Sequence, residues 1–424
     1  MKRWSGSAAR ITAALLLGLA LSAAASLRAV QAEAPARTLS PSRLAALDDY
    51  FGNEIGSGRI PGAVVLVQQH GKAVYAESFG KRDGANPMTS DSIFRLYSMS
   101  KPVTSVAAMM LVEEGRLRLD DPVAKFIPAF ADARVGIDRK GGDEHATSGV
   151  VPLLRPITIA DLLRHTSGIT YGFYGDDAAR RRYAQIDLFR RDFDNAELAD
   201  CIARLPLAEQ PGTLWDYGHS TDVLGRVIEV VSGQTLAQFE KSRLFDPLGM
   251  VDTSFYVTDE AKRPRIAEPF PGDRMIGPVI GMHDPLAVRR WQAGGSGLVG
   301  TLGDYARFAQ MLLDGGIYEG RRYLRADTVA LMTADHVGPG SGVKRDYYYF
   351  PGDGSGFGYG FAVRTKELAS EPGPVGEYRW DGVAGTFFWI DPRDDMLVIV
   401  MMQAPSQRVR IEAAVRKIVY GAVE

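Results

Sequence analysis

Cysteine is almost absent. Cys201 is the single cysteine among 424 residues, so no internal disulfide holds the fold. It lies in Leu198-Ala199-Asp200-Cys201-Ile202-Ala203, which reads as a helix face carrying a buried, inert thiol. Metal signatures are missing too. The six histidines, at 70, 145, 165, 219, 283 and 336, show no zinc spacing and no His-Glu-x-x-His, so neither a metal nor a cofactor is implied. There is no Gly-x-Ser-x-Gly, which argues against an α/β-hydrolase fold. Gly294-Gly295-Ser296-Gly297 comes nearest, fails the spacing and reads as a tight loop. Charge of one sign is not in excess. Lys+Arg total 49 and Asp+Glu 51, for a formal net charge of −2, so nothing points to nucleic acid or an anionic membrane surface as partner.

Long apolar runs are also scarce. Only Ile11 to Ala25 qualifies, and it is shorter than the roughly 20 residues a spanning helix needs. Lys2, Arg3 and Arg10 precede or flank it, and Ala23-Ala24-Ala25 or Val30-Gln31-Ala32 offers small residues for cleavage. Residues 1–32 therefore read as a signal peptide. The expectation is a secreted or periplasmic protein with no membrane span after cleavage.

What remains is an ordinary globular composition, 46% hydrophobic and 24% charged. Ser40 to Ile55 reads as an amphipathic helix, and Ala63–Val67 and Ala73–Ala76 as a strand pair. From Gly115 to about Met282 helical segments alternate with loops, and the arginine-rich stretch from Asp176 to Arg191 reads as an exposed helix. Strands return at Gly360–Val363, Thr386–Ile390 and Met396–Val400, before a helix from Gln407 to Val419. Strands at both ends imply that the two ends pair in one sheet. The expected division is 33–95 with 285–424 as an α/β domain, 96–284 as an inserted helical domain, and the active site between them.

Ser98-Met99-Ser100-Lys101 opens the most informative stretch. Val103, Val106, Ala107, Met110 and Leu111 form one apolar helix face behind it, and Gly115 is a natural stop. Pro102 is tolerated in the first turn, where N–H groups have no intrahelical partner. Ser98 and Lys101, three apart, share a helix face. A buried lysine can take the serine proton, and the helix N-terminus favours a developing oxyanion. Ser78…Lys81 and Ser341…Lys344 match the same spacing, but neither opens a helix.

Two further clusters are Trp215-Asp216-Tyr217-Gly218-His219-Ser220 and Tyr378-Arg379-Trp380-Asp381-Gly382-Val383-Ala384-Gly385-Thr386. Together with Ser-x-x-Lys, Leu162–Gly168, Asp222–Gly225 and Pro247–Met250, they resemble the serine β-lactamase and penicillin-binding superfamily. Within it the chain is most similar to the class C-like branch that includes the family VIII carboxylesterases. The resemblance implies an α+β, β-lactamase-like fold: an antiparallel sheet built from N- and C-terminal strands, flanked by helices, with an all-helical insertion. It implies Ser98 as acylated nucleophile, Lys101 and Tyr217 as the groups sharing its proton, with Tyr217 as base and later as acid for the leaving group, and the backbone N–H groups of Ser98 and Val383 as oxyanion hole.

Two departures bear on substrate. Trp380-Asp381-Gly382 stands where that family carries Lys-Thr-Gly, and a lysine there would hold a carboxylate. Asp381 would repel an anion if it faced the site. His219 replaces an asparagine that would meet an acylamide side chain. With Trp380, Asp381, Gly382, His219 and Tyr348 as substrate-binding candidates, and Tyr347, Tyr349 and Phe350 beside Tyr348, the site suits a small, largely apolar ester. The competing readings are a class C-type β-lactamase or D-amino-acid peptidase, and a penicillin-binding sensor that acylates without turnover.

Overall fold

The structure, a computed structural model, describes residues 37–137, 149–274, 281–346 and 350–424. The expected leader over residues 1–32 and the tyrosines 347–349 lie outside the described residues. Leu39–Glu424 form one compact unit. Its centre is a sheet of β1 (Gly62–Gln69), β2 (Lys72–Gly80), β3 (Ser355–Phe357), β4 (Ala362–Arg364), β5 (Tyr378–Gly382), β6 (Thr386–Asp391) and β7 (Met396–Met402). The strands run antiparallel in the order β3-β4-β5-β6-β7-β1-β2. The two ends of the chain meet at the β1–β7 ladder, in register from Ala63 opposite Met402 to Gln69 opposite Met396. That is the pairing the strand distribution predicts.

Strand side chains alternate between faces, and the two faces feed separate cores. Six helices matter here: α1 (Ala46–Gly56), α2 (Ser100–Glu113), α3 (Ser220–Ser232), α4 (Leu236–Glu240), α5 (Leu302–Leu313) and α6 (Arg408–Gly421). Val65, Val67, Phe387, Trp389, Val398 and Val400 join Leu47 and Phe51 of α1 and Ile411, Val415 and Val419 of α6. Val64, Leu66, Phe388, Ile390, Leu397 and Ile399 join α2, α5 and the helical segment. Truncating one of the fully buried aromatics, such as Phe51 or Phe388, to alanine would cost about 3–5 kcal/mol. Helix α2 is buried from Ser100 to Leu111, well beyond the single apolar stripe in its sequence, because α3, α4 and the sheet surround it.

Three local readings differ from the structure. The arginine-rich helix runs from Ala178 to Ile186, and Arg180 on it is buried. Asp216 at 3.0 Å and Asp346 at 3.3 Å balance its charge, and Asp177 pairs with it while capping the helix. Arg134–Ile137 and Gly149–Pro152 form a hairpin within the segment expected to be helical. Cys201 lies on the helix Asn195–Ala203 but is only half-buried, with burial raising its thiol pKa.

Candidate active site

Ser98 sits in a 3-10 turn, Tyr97–Met99, that runs directly into α2. Tyr97 has φ of 45°, in the left-handed region, where a non-glycine residue costs roughly 1–3 kcal/mol. The surroundings hold it there. The His283 N–H donates to its hydroxyl at 2.9 Å, and the two rings meet edge-on at 4.7 Å. This kink presents Ser98 to a cavity of about 310 Å³. The two other Ser-x-x-Lys matches open no helix: Ser78 lies in β2, and the Ser341 hydroxyl donates to Gly338 O in a loop.

Lys101 is 1% exposed. Its Nζ lies 3.2 Å from Ser98 Oγ, 3.3 Å from the Tyr171 hydroxyl and 2.7 Å from the carbonyl oxygen of Gly295. Burial pulls its pKa down to about 7, against the weaker upward pull of Asp222 and Asp381. A neutral amine has two hydrogens and one lone pair. The Gly295 carbonyl can only accept, so one hydrogen is committed to it. With the second hydrogen on Tyr171, the lone pair meets the Ser98 hydroxyl, which is the arrangement for removing its proton.

The Gly295 peptide is fixed from both sides. Its N–H donates to Asp222 Oδ1 at 2.9 Å, and Asp222 Oδ2 pairs with His219 Nδ1 at 2.8 Å. A Cβ on Gly295 would come within 3.2 Å of that carboxylate. The loop read from sequence as a simple tight turn is therefore a direct partner of the lysine. His219 does not line the cavity. It is buried behind it as the partner of Asp222, which corrects its expected role as a substrate contact.

Tyr217 lines the cavity with its ring 4.6 Å from Lys101 Nζ. Trp380 Nε1 donates to the Tyr217 hydroxyl at 3.3 Å. Trp380 is buried behind the phenol and does not form the expected cavity wall. An aromatic cage completes the setting. Trp215 stacks on Tyr217 at 5.9 Å, and His165 lies 4.9 Å from it. Burial, reinforced by the Lys101 charge, holds His165 neutral.

Gly382 also serves by contact rather than by binding. A Cβ there would lie 2.2 Å from Leu96 O and 2.3 Å from Thr386 Oγ1. Its absence lets β5 press against the backbone at Leu96, just before the turn that carries Ser98. The turn from Gly382 to Gly385, closed by a 2.9 Å backbone hydrogen bond, then sets Val383 on the same cavity wall as Ser98. Asp381 does face the cavity, but Arg408 at the start of α6 pairs with it at 2.5 Å. The repulsion expected of a lone carboxylate is thus cancelled. Tyr348 lies outside the described residues, and Phe350 packs on Trp215 at 5.1 Å rather than lining the cavity.

Aromatic side chains make up much of the rest of the lining, among them Tyr171, Phe173, Phe189, Phe255 and Trp291, with the charged Asp187, Arg190 and Asp284 also on it. Arg289 and His283 add polar edges, and burial followed by the charges of Arg95 and Arg289 pushes His283 down to about 3, leaving it neutral. Tyr171, Gly295, Asp222 and Arg408 were not among the sequence-derived site residues. Asp222 and the Gly294–Gly297 loop carried a signal in their position within the motif set and in the glycine density. Tyr171 and Arg408 carried none. Among the described residues no cluster fit to hold a metal occurs, and no helix is long and apolar enough to cross a membrane.

This fold and constellation belong to a known class. The family profile described as beta-lactamase matches residues 47–420, and the chain belongs to that family. Protein Rv1367c of Mycobacterium tuberculosis is 36% identical over 373 residues, covering 85% of this chain and 90% of that one. Esterase EstB of Burkholderia gladioli is 31% identical over 393 residues, covering 86% and 91%. Among solved structures, EstCE1, described as a hydrolase with promiscuous acyltransferase activity, superposes with a TM-score of 0.73 at 29% identity, over 90% of this chain and 99% of that one. The branch is the family VIII carboxylesterase-like one, and the chain is a serine hydrolase of the beta-lactamase fold.

Proposed function

We propose that the protein cleaves small, largely apolar carboxylic esters through an acyl-enzyme on Ser98. The observation that carries this reading is the buried Lys101 amine 3.2 Å from Ser98 Oγ, at the wall of an aromatic cavity. Lys101 takes the hydroxyl proton as Ser98 Oγ bonds to the ester carbonyl carbon. The backbone N–H groups of Ser98 and Val383 receive the oxyanion. The carbon–alkoxide bond then breaks, and the proton returns to the departing alcohol by way of the Tyr217 phenol. Water repeats the sequence on the acyl-enzyme and frees the acid. EstB, an esterase, supports the ester over the amide. So does Trp380, which stands where a lysine would hold a carboxylate and instead lies buried against the Tyr217 hydroxyl. The leader-like first residues support export as the setting.

The test is a side-by-side assay of p-nitrophenyl butyrate and nitrocefin, with mass spectrometry of the quenched enzyme. Ester turnover well above β-lactam turnover, a transient acyl adduct and loss of both in Ser98→Ala are expected. An unchanged Ser98→Ala rate would overturn the nucleophile assignment. Nitrocefin turnover equal to or above the ester rate would favour the β-lactamase reading, and a permanent adduct the sensor reading.

A further inference from the structure

Beneath the site, Thr104 faces two acceptors with one hydrogen to give. Its Oγ1 lies 2.9 Å from the Gly294 carbonyl oxygen and 2.9 Å from Glu240 Oε1. A carbonyl and an ionised carboxylate can both only accept, so one hydrogen cannot serve both; given to Gly294, it goes to the acceptor that can never carry a proton of its own. Glu240 Oε1 then faces a hydroxyl whose hydrogen is already engaged. That contact is a hydrogen bond only if the carboxyl itself carries a proton and donates it. Glu240 lies at the end of α4 with none of its surface exposed, and its other oxygen, Oε2, has no partner among the described residues. An ionised carboxylate in that setting would stand desolvated beside a hydroxyl with nothing left to offer.

We propose that Glu240 is a protonated positioning residue. Its carboxyl donates to Thr104, Thr104 donates to Gly294, and the Gly294-Gly295 peptides are thereby locked where the Gly295 carbonyl orients the Lys101 amine. Burial raises the carboxyl to about 8, in keeping with the proton count. A Cβ at Gly294 would meet Thr221 O at 2.9 Å and the Thr104 methyl at 3.1 Å, so the loop rests directly on α2 and α3. On the opposite side Asp222 holds the Gly295 N–H. Releasing the Gly294 carbonyl frees one of the two hydrogen bonds that fix the height of Gly295 O, 2.7 Å from Lys101 Nζ. Glu240 touches neither substrate nor reacting atoms. The proposal rests on the reading of Lys101 as the base.

Four variants and one spectrum test it. Glu240→Gln keeps a donor to Thr104, and Thr104→Ser keeps the hydroxyl, so both should retain wild-type kcat. Glu240→Leu should lose about tenfold in kcat with KM nearly unchanged, the mark of a misaligned group rather than a lost contact to substrate. The double variant Thr104→Val with Glu240→Leu removes the buried polar pair together. It should recover thermal stability while kcat stays low, which separates positioning from folding. The infrared difference between wild type and Glu240→Gln at neutral pH should contain the carbonyl stretch of a protonated carboxylic acid. A carboxylate band in its place, or wild-type kcat in the double variant, would overturn the proposal. A Ser98→Ala enzyme that still turned over ester would instead remove the reading it rests on, and the infrared result would stand apart from that failure.

Discussion

Two cations lie equally deep in this molecule and do opposite things. Lys101 is 1% exposed and Arg416, on α6 against the other face of the sheet, is 2% exposed. Arg416 reaches both oxygens of Glu377, at 2.7 and 2.5 Å, and its guanidinium lies 4.8 Å over the Trp389 ring. Tyr420 donates to the same carboxylate at 2.6 Å. Burial works against its charge, but Glu377 more than compensates, and the pKa of Arg416 rises. Lys101 has a carbonyl and two hydroxyls instead, with no carboxylate among the described residues in hydrogen-bond contact. Its charge has little to compensate the lost water, so its proton is loosely held. Burial is common to both. The partner decides whether a buried cation becomes a structural tie or a base.

The sharpest way to break this contrast is to remove each charge. Lys101→Met should lower kcat/KM by about 10²–10⁴-fold, the usual span for a general base. Denaturant unfolding of the same variant should show no loss of stability at neutral pH, since the buried Asp222 keeps its His219 and Gly295 partners and Asp381 its Arg408. A large stability loss would mean that the amine is paired after all. The reciprocal change, Arg416→Met, takes from the buried Glu377 its nearest cation, leaving the Tyr420 hydroxyl and the more distant Arg379 at 3.8 Å, and should cost about 3 kcal/mol in urea unfolding. The folded fraction should keep its specific activity, because Arg416 does not line the cavity.

A smaller effect separates the two sites by pH. The native amine of Lys101 loses its proton near 7, whereas an ordinary lysine holds it to about 10.5. Between those values the unfolded chain binds more protons than the native one, so this group makes stability rise with pH through that window. Below about 7 both states carry the proton, and the burial penalty is felt in full. Unfolding curves of wild type and Lys101→Met should therefore converge on alkalinisation. The same titration should give kcat/KM an acid limb with a midpoint near 7, rising with pH. A midpoint well into the carboxylate range would assign the base elsewhere.

How much of this was legible in the sequence follows from distance along the chain. Ser98 and Lys101 share one helix start, so spacing alone puts them together. The pairing of the two chain ends was also readable, because strand-like runs lie at both ends of the chain and mostly helical segments lie between them. Trp380 was harder. Adjacent strand residues point to opposite faces, and nothing in Trp-Asp-Gly tells which side holds the cavity. The indole went behind Tyr217 and the carboxylate forward. Arg408, which tames that carboxylate, is brought to it only by the docking of α6. Tyr171 and Gly295 reach Lys101 from segments 70 and 194 residues away in sequence, and no local pattern could announce them. Arg180 misled for the same reason: an arginine-rich helix looks solvated until three aspartates gather around one of its members.

Gly382 bears on any attempt to retune this enzyme. Even a methyl group there would overlap the Leu96 carbonyl, so variation at that position would push β5 away from the segment that carries the nucleophile. Its neighbours on either side look into the cavity instead. Libraries aimed at new substrates should hold the glycine invariant and diversify the side chains of Asp381 and Val383, which line the cavity.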